Sequence, residues 1–345
     1  MKKLLLVILL VPFSSFAGPF KITLNSCTGG CDNAAIQTLI TTLENEVNND
    51  LPDADQSTYL KGMANSSVMS TKGSGTDYAN DIDVFLVGAG FNAGLDLGNQ
   101  SFGDLIGGDV DGNQIRGVGL APSLLIGFGM GVLPIKWKIV KRSKIFVNFF
   151  SYDIGDSGDD LQAETSNFGF HIRTKLILPT TIAPLGMMKW GGVDVHFGYD
   201  YTSLKLKYTE NFNDTTTDGT NTINYNGTAV AGAEVTTSSI PLEVSTNFQL
   251  GYVFTFYGGM GMDFNFGTAK SIASVDSNVN ITPGAGSATG TATMNLGQED
   301  SPSLMTFRTF GGVQFNIPLL KIYAHVDKAL GKSLYGLHAG LKITF

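Results

Sequence analysis

From residue 82 to residue 345, apolar side chains return at every second position over unusually long runs. Val118, Leu120, Pro122, Leu124, Ile126, Phe128, Met130 and Val132 share one face. Gly117, Gly119, Ala121, Ser123, Gly127, Gly129 and Gly131 occupy the other. A second run sets Ile240, Leu242, Val244, Phe248, Leu250, Tyr252, Phe254 and Phe256 against Glu243, Ser245, Asn247 and Gln249. A period of two marks β-strands. A soluble sandwich buries its apolar face and shows solvent one rich in Thr, Lys and Glu. Here the apolar faces are long and the opposite faces are small and polar. That inversion suits a transmembrane barrel, apolar outside and polar inside, with about 9–11 residues per crossing.

Composition supports the inversion. Charged residues are 15 % of the 345, and 43 are Gly, against about 25 % charged in an average soluble domain. Apolar content of 43 % excludes a disordered chain. A net charge of −8 argues against nucleic acid as a partner. After the N-terminus no apolar run approaches the roughly 20 residues a membrane helix needs, so only a closed sheet would satisfy the backbone in a bilayer. The expected fold is all-β: an antiparallel transmembrane β-barrel of about 10–12 strands with a short N-terminal helical segment. Strands are expected near 82–97, 116–133, 144–153, 167–178, 191–208, 238–256, 258–268, 304–317, 320–328 and 335–345. Turns near 134–143, 179–190, 257 and 318 then share one end with the C-terminus, on the periplasmic side. Longer loops fill the other end, and 269–303 has room for a further hairpin. The Thr- and Asn-rich 209–237 and the Ser-, Thr-, Ala- and Gly-rich 271–303 read as mobile surface loops where an external ligand would bind.

Lys2, Lys3 and the apolar run Leu4 to Val11, followed by Ser15-Phe16-Ala17, have the form of a signal peptide, residues 1–17. Export favours a disulfide between Cys27 and Cys31. The stretch Leu24 to Cys27 is a loose lipobox, set too far from the apolar run to favour lipidation. Helical spacing of Ile36, Leu39, Ile40, Leu43, Val47 and Leu51 predicts a helix over 32–51, and 53–80 reads as an irregular linker. The helix carries acidic residues and no basic ones on its polar side, so its apolar stripe is expected to pack on protein. Residues 18–80 are expected to plug or floor a barrel formed by 81–345.

Catalytic signals are sparse. His171, Arg173 and Lys175 face the interior together, as do Asp194 and His196, and these five are the ligand or lumen-facing candidates. His325 shares a face with Asp327, and His338 opposes the final apolar face. Asp194-x-His196 would serve a hydrolase, but paired charges are ordinary inside barrels and no G-x-S-x-G elbow is present. Asp109-x-Asp111-x-Asn113 begins like a calcium loop, yet Gln114 stands where Gly is required. The acidic run Asp153 to Asp160 suits a solvated tip or a weak cation site. No enzyme activity, metal or cofactor is assigned.

The C-terminal strand alternates Leu337, Ala339, Leu341, Ile343 and Phe345, with Gly340 on the opposite face. It resembles the assembly signal of bacterial outer-membrane β-barrels, carried here by Gly340, Leu341, Ile343 and Phe345. The resemblance implies outer-membrane lipids and the outer-membrane assembly machinery as partners, and the outer membrane as location. The stretch Ala79 to Gly98 and the turn Leu133-Pro134-Ile135-Lys136-Trp137 are similar to a surface-protein family of spirochaetes and related bacteria. The leading expectation is a non-enzymatic surface-exposed barrel acting as a pore or a ligand-binding protein. The alternatives are an outer-membrane hydrolase with a lumen-facing His/Asp site and a soluble secreted β-sandwich adhesin.

Overall fold

The computed structural model describes residues 21–28, single positions between 34 and 45, 56–79 apart from 74, and most of 84–345. Residues 1–20, 110–113, 135, 155–159, 184–186, 219–220 and 283–286 lie outside that description. The signal peptide, Cys31 with its expected pairing to Cys27, the core of the Asp109 loop and most of the Asp153–Asp160 run therefore fall outside it.

After β1 (Lys21–Thr28) and helix α1 (Gln56–Ser70), the chain builds a wall. Its members are β2 (Phe85–Asp96), β3 (Gly117–Leu120) continued by β4 (Ser123–Gly129), β5 (Ser143–Ile154) and β6 (Leu161–Ile177). After the short β7 (Thr180–Thr181) come β8 (Met188–Asp218), β9 (Asn221–Leu250) and β10 (Phe254–Thr282). Past β11 (Ser287–Leu296) and β12 (Glu299–Asp300), the wall ends with β13 (Met305–Asn316), β14 (Leu320–Ala329) and β15 (Leu334–Thr344). Wall neighbours pair antiparallel, and β15 returns to β2 from Leu334↔Asp96 to Thr344↔Leu86. With β3 and β4 counted as one, ten strands form a closed ring. A single sheet closed on itself excludes the two-layer sandwich.

All ten strands coincide with those read from periodicity, but several ends move. The run 116–133 lapses at Ala121 and Pro122. Proline has no N–H for the ladder, and the Asn92 side-chain amide bonds the Ala121 carbonyl at 2.6 Å instead. The turn expected near 257 lies at 251–253, where Gly251 and Tyr252 take φ of 59° and 62°. Left-handed backbone at Gly251 is free of Cβ strain, and the hairpin turns there.

The expected surface loops are strands. β8 and β9 pair out to Asp218↔Asn221, and β10 continues to Thr282 and pairs with β11. β1 adds to β11, extending the sheet to five strands beyond one rim, in the order β8-β9-β10-β11-β1. The Thr- and Asn-rich composition hides a period of two in small apolar residues. Ile223, Ala229, Ala231, Ala273, Val275, Val279 and Ile281 form one buried face with Ile22 and Ile40. Thr is β-branched and suits strands. The described positions between 34 and 45 are helical, in keeping with the predicted helix, and Ile40 is the residue that joins this cluster.

The assumed linker contains α1, and α1 lies inside the ring. The Ser66 hydroxyl donates to the Gly117 carbonyl on β3 at 3.0 Å, and Ser67 meets Thr237 on β9 at 3.2 Å. β9 stands across the ring from β2, whose Gly94 lies so near Ser66 that a Cβ would overlap the carbonyl. Gly117 and Gly119 give the helix the same clearance. Contact on all sides explains the missed helix: a helix enclosed by a wall presents no apolar stripe. Small polar residues such as Ser66, Ser67 and Ser70 fill that role, each hydrogen-bonded.

The backbone of Phe345 extends the closing seam, its N–H donating to the Phe85 carbonyl at 2.9 Å and its carbonyl accepting from Phe85 at 3.3 Å. Deleting Phe345 removes both bonds at the point of closure. The truncated protein is expected to stay protease-sensitive and to migrate alike in a denaturing gel whether boiled or not; wild-type migration would contradict this.

Candidate functional site in the barrel lumen

The polarity of the wall is inverted. Phe91, Phe197, Met260 and Phe307 are exposed on the outside, whereas Arg173, Arg308 and Lys72 are the largest fully buried side chains. Alternation dictates this, since each strand must send every second residue inward. Among the described residues, six cations (Lys72, Lys144, Arg173, Lys175, Arg308 and Lys342) and six carboxylates (Asp77, Asp194, Asp200, Glu243, Asp263 and Asp327) are buried. All four histidines of the sequence are buried with them.

The five candidates from the sequence all face this interior, but Asp194 and His196 are not partners. Asp194 accepts from Arg173 at 2.6 Å and lies 3.6 Å from the Lys175 ammonium. Lys175 donates to the Gly191 carbonyl at 2.7 Å. His196 Nδ1 lies 2.5 Å from Glu243 Oε2, and its Nε2 lies 3.0 Å from His171 Nδ1. His171 Nε2 continues to Asp200 at 2.9 Å.

Arg308 anchors the other half. Its guanidinium donates to Asp263 at 2.9 Å and bonds Glu243 and Asp327 as well. The remaining oxygen of Asp327 meets His325 Nε2 at 2.8 Å and His338 Nε2 at 2.9 Å, and His338 Nδ1 lies 3.1 Å from the Asn92 side-chain amide. His325, Asp327 and His338 present their ligand atoms within 4.8 Å of one another, a donor set suited to a first-row divalent metal. Arg308 sits on the same carboxylate and opposes a cation there.

The segment after α1 completes the network. Lys72 donates to Asp200 at 3.0 Å and Ser239 at 2.7 Å. Asp77 pairs with Lys342 at 3.3 Å, and the Tyr78 hydroxyl donates to Glu243 at 2.8 Å. Tyr78 also stacks on Tyr257 and His325, at 5.5 and 5.3 Å between centroids. Lys72, Asp77 and Tyr78 were lost to sequence reasoning because they lie in the assumed linker. Glu243 and Asp263 carried a signal in their inward parity, and Arg308 sits two residues before the inward Phe310.

Chemically, the site is a dense web of shared charge. The Ser239 hydroxyl accepts from Lys72 and donates to Asn265 Oδ1 at 2.9 Å, so histidine does not hold it. Removing one partner of a buried ion pair costs about 3–5 kcal/mol. Arg308→Met strands three carboxylates and is expected to lose at least that much stability, measured by thermal unfolding in detergent. Adding Glu243→Gln and Asp327→Asn should recover part of the loss.

The Lsa36-like family model matches residues 21–345, and the chain belongs to that family. No curated protein matches it. Among solved structures, the translocator domain of the autotransporter NalP from Neisseria meningitidis is 11 % identical, covering 78 % of this chain and 90 % of its own, with a TM-score of 0.33. The CymD monoaromatic hydrocarbon channel is 10 % identical, covering 83 % and 98 %, with a TM-score of 0.23. The β domain of the Bordetella autotransporter Brka is 9 % identical, covering 77 % and 100 %, with a TM-score of 0.22. The closed register of the ten strands, rather than these likenesses, defines the barrel here.

Proposed function

We propose that this Lsa36-like protein is a non-enzymatic outer-membrane barrel, closed by its own N-terminal segment, that presents its sheet extension at the cell surface to bind external ligands. The observation that carries the reading is the filled lumen. An open pore needs a continuous polar channel, and here α1, Lys72, Asp77 and Tyr78 occupy the interior and pair with Asp200, Lys342 and Glu243 of the wall. The wall suits a bilayer: the 12 residues of β2, at about 3.3 Å each and tilted by about 40°, cover roughly 30 Å. Lipid would meet the exposed Phe and Leu side chains, and the assembly machinery would read the terminal strand.

The extension supports surface binding over transport. Its uncovered face aligns Asn213, Asn226, Asn278, Thr291 and Thr23 across the strands, with Thr215, Asn224, Asn280 and Thr289 in the adjacent row. These side chains offer uncharged donors and acceptors to solvent. The C-terminus and the short turns lie at the opposite end, which places the extension outward if both ends of the barrel domain are periplasmic.

Planar-bilayer recordings test the closure. Full-length mature protein should show little or no current, and a version lacking residues 18–80 should conduct clearly; equal large conductance in both would refute it. For orientation, an epitope inserted at 219–220 should be labelled on intact cells, and one beside Lys138 should not.

A further inference from the structure

Where α1 enters the ring, a cavity of about 780 Å³ opens between the helix, the end of β2, Arg116 and the β14–β15 turn. Its charged lining is Lys61, Arg116, Lys328 and Lys332 against Asp96 alone, in a chain whose net charge is −8. None of the four cations forms an ion pair with a carboxylate among the described residues. Lys332 donates to the Ser303 hydroxyl at 2.6 Å, and Lys328 to the Lys332 carbonyl at 2.6 Å and the Tyr335 hydroxyl at 2.8 Å. Arg116 reaches the Asn99 side-chain oxygen at 3.4 Å. Lys61 is exposed and has no hydrogen-bond or ion-pair partner among the described residues. Asp96 receives the Gly98 N–H at 3.1 Å. Partial burial, and then the nearby Lys61 charge, pulls the Lys332 ammonium below its usual range.

Four convergent cations against one carboxylate call for an anion. The uncharged lining, Thr58, Asn65, Asn99 and Ser333, offers hydroxyls and amides and no apolar side chain, which suits a polyol and not an acyl chain. The space holds on the order of two dozen waters, far more than a bare phosphate or sulfate fills. We propose that this mouth cavity binds a saccharide bearing phosphate or sulfate esters. The site is separate from the lumen network and from the uncovered face of the extension, and it does not depend on which way the barrel faces.

The test is calorimetric titration of the full-length mature protein in detergent with a heparin-derived tetrasaccharide, with maltotetraose and inorganic sulfate as comparisons. The sulfated tetrasaccharide should bind, and its affinity should fall with added salt, as expected for partly exposed charges. The double variant Lys61→Gln, Lys332→Gln should weaken it by about tenfold or more while keeping heat-dependent gel migration. The double variant Lys205→Gln, Lys270→Gln, at exposed ion pairs elsewhere on the molecule, should bind like wild type. Equal weakening in both double variants would show only general charge attraction and overturn the proposal. So would no binding by wild type, maltotetraose binding as tightly as the sulfated sugar, or sulfate alone binding as tightly as the tetrasaccharide.

Discussion

A ring of ten strands encloses more space than its own inward side chains fill when many of them are Gly, Ser and Asn. Close packing makes that space costly unless it holds water or protein. The chain uses protein: residues 56–79 pass through the ring. On the β2–β3 side, where the backbone of α1 comes closest to the wall, the wall offers Gly94, Gly117 and Gly119. The abundance of Gly is therefore partly a clearance for a helix, beyond any need for flexible backbone.

Threading also fixes direction. β1 lies on the extension at one rim, while β2 begins at the other, where Phe85 meets Phe345. The intervening chain must cross the interior, and charge locates it along the axis. Lys72 lies 3.0 Å from Asp200 on β8 and 3.8 Å from Asp263 on β10, while Asp77 pairs with Lys342 on β15. Sliding the segment by one residue would separate these pairs in a low-dielectric space, where unpaired charge is expensive. Small apolar contacts alone, such as Met69 against Ala329 and Leu334, would hold it less selectively.

The wall was legible because period two is a strong signal when one face is lipid-like and the other small. Phe168 to Leu178 and Met260 to Phe266 show it plainly, and the inward parity of His171 and Arg173 follows from it. The extension was not legible. Its alternation runs through Ala, Val and Thr, whose hydropathy contrast is slight, and its partners are supplied by strands far away in sequence. α1 was hidden for a different reason: the wall is close on every side and meets it with both polar and small apolar groups. The web itself lay beyond reading. Parity tells which side chains point inward, but not that His196 meets Glu243 instead of Asp194. That choice is made by the register between β8 and β9, in which His196 faces Glu243 directly.

The same register explains why the lumen is an electrostatic unit instead of a set of independent pairs. Glu243 contacts His196, Tyr78 and Arg308, and Asp327 contacts Arg308 and two histidines. Each carboxylate is shared, so no partner can be withdrawn without leaving another short of a bond. Six cations and six carboxylates are buried in it together. Tyr78 joins it through one hydroxyl and one stacked ring, and both are supplied by the threaded segment. The segment is thus held by the wall, and the charges of the wall are in turn completed by the segment. Taking it out would leave Lys342, Asp200 and Glu243 facing one another across an emptied lumen, a surface that water would enter.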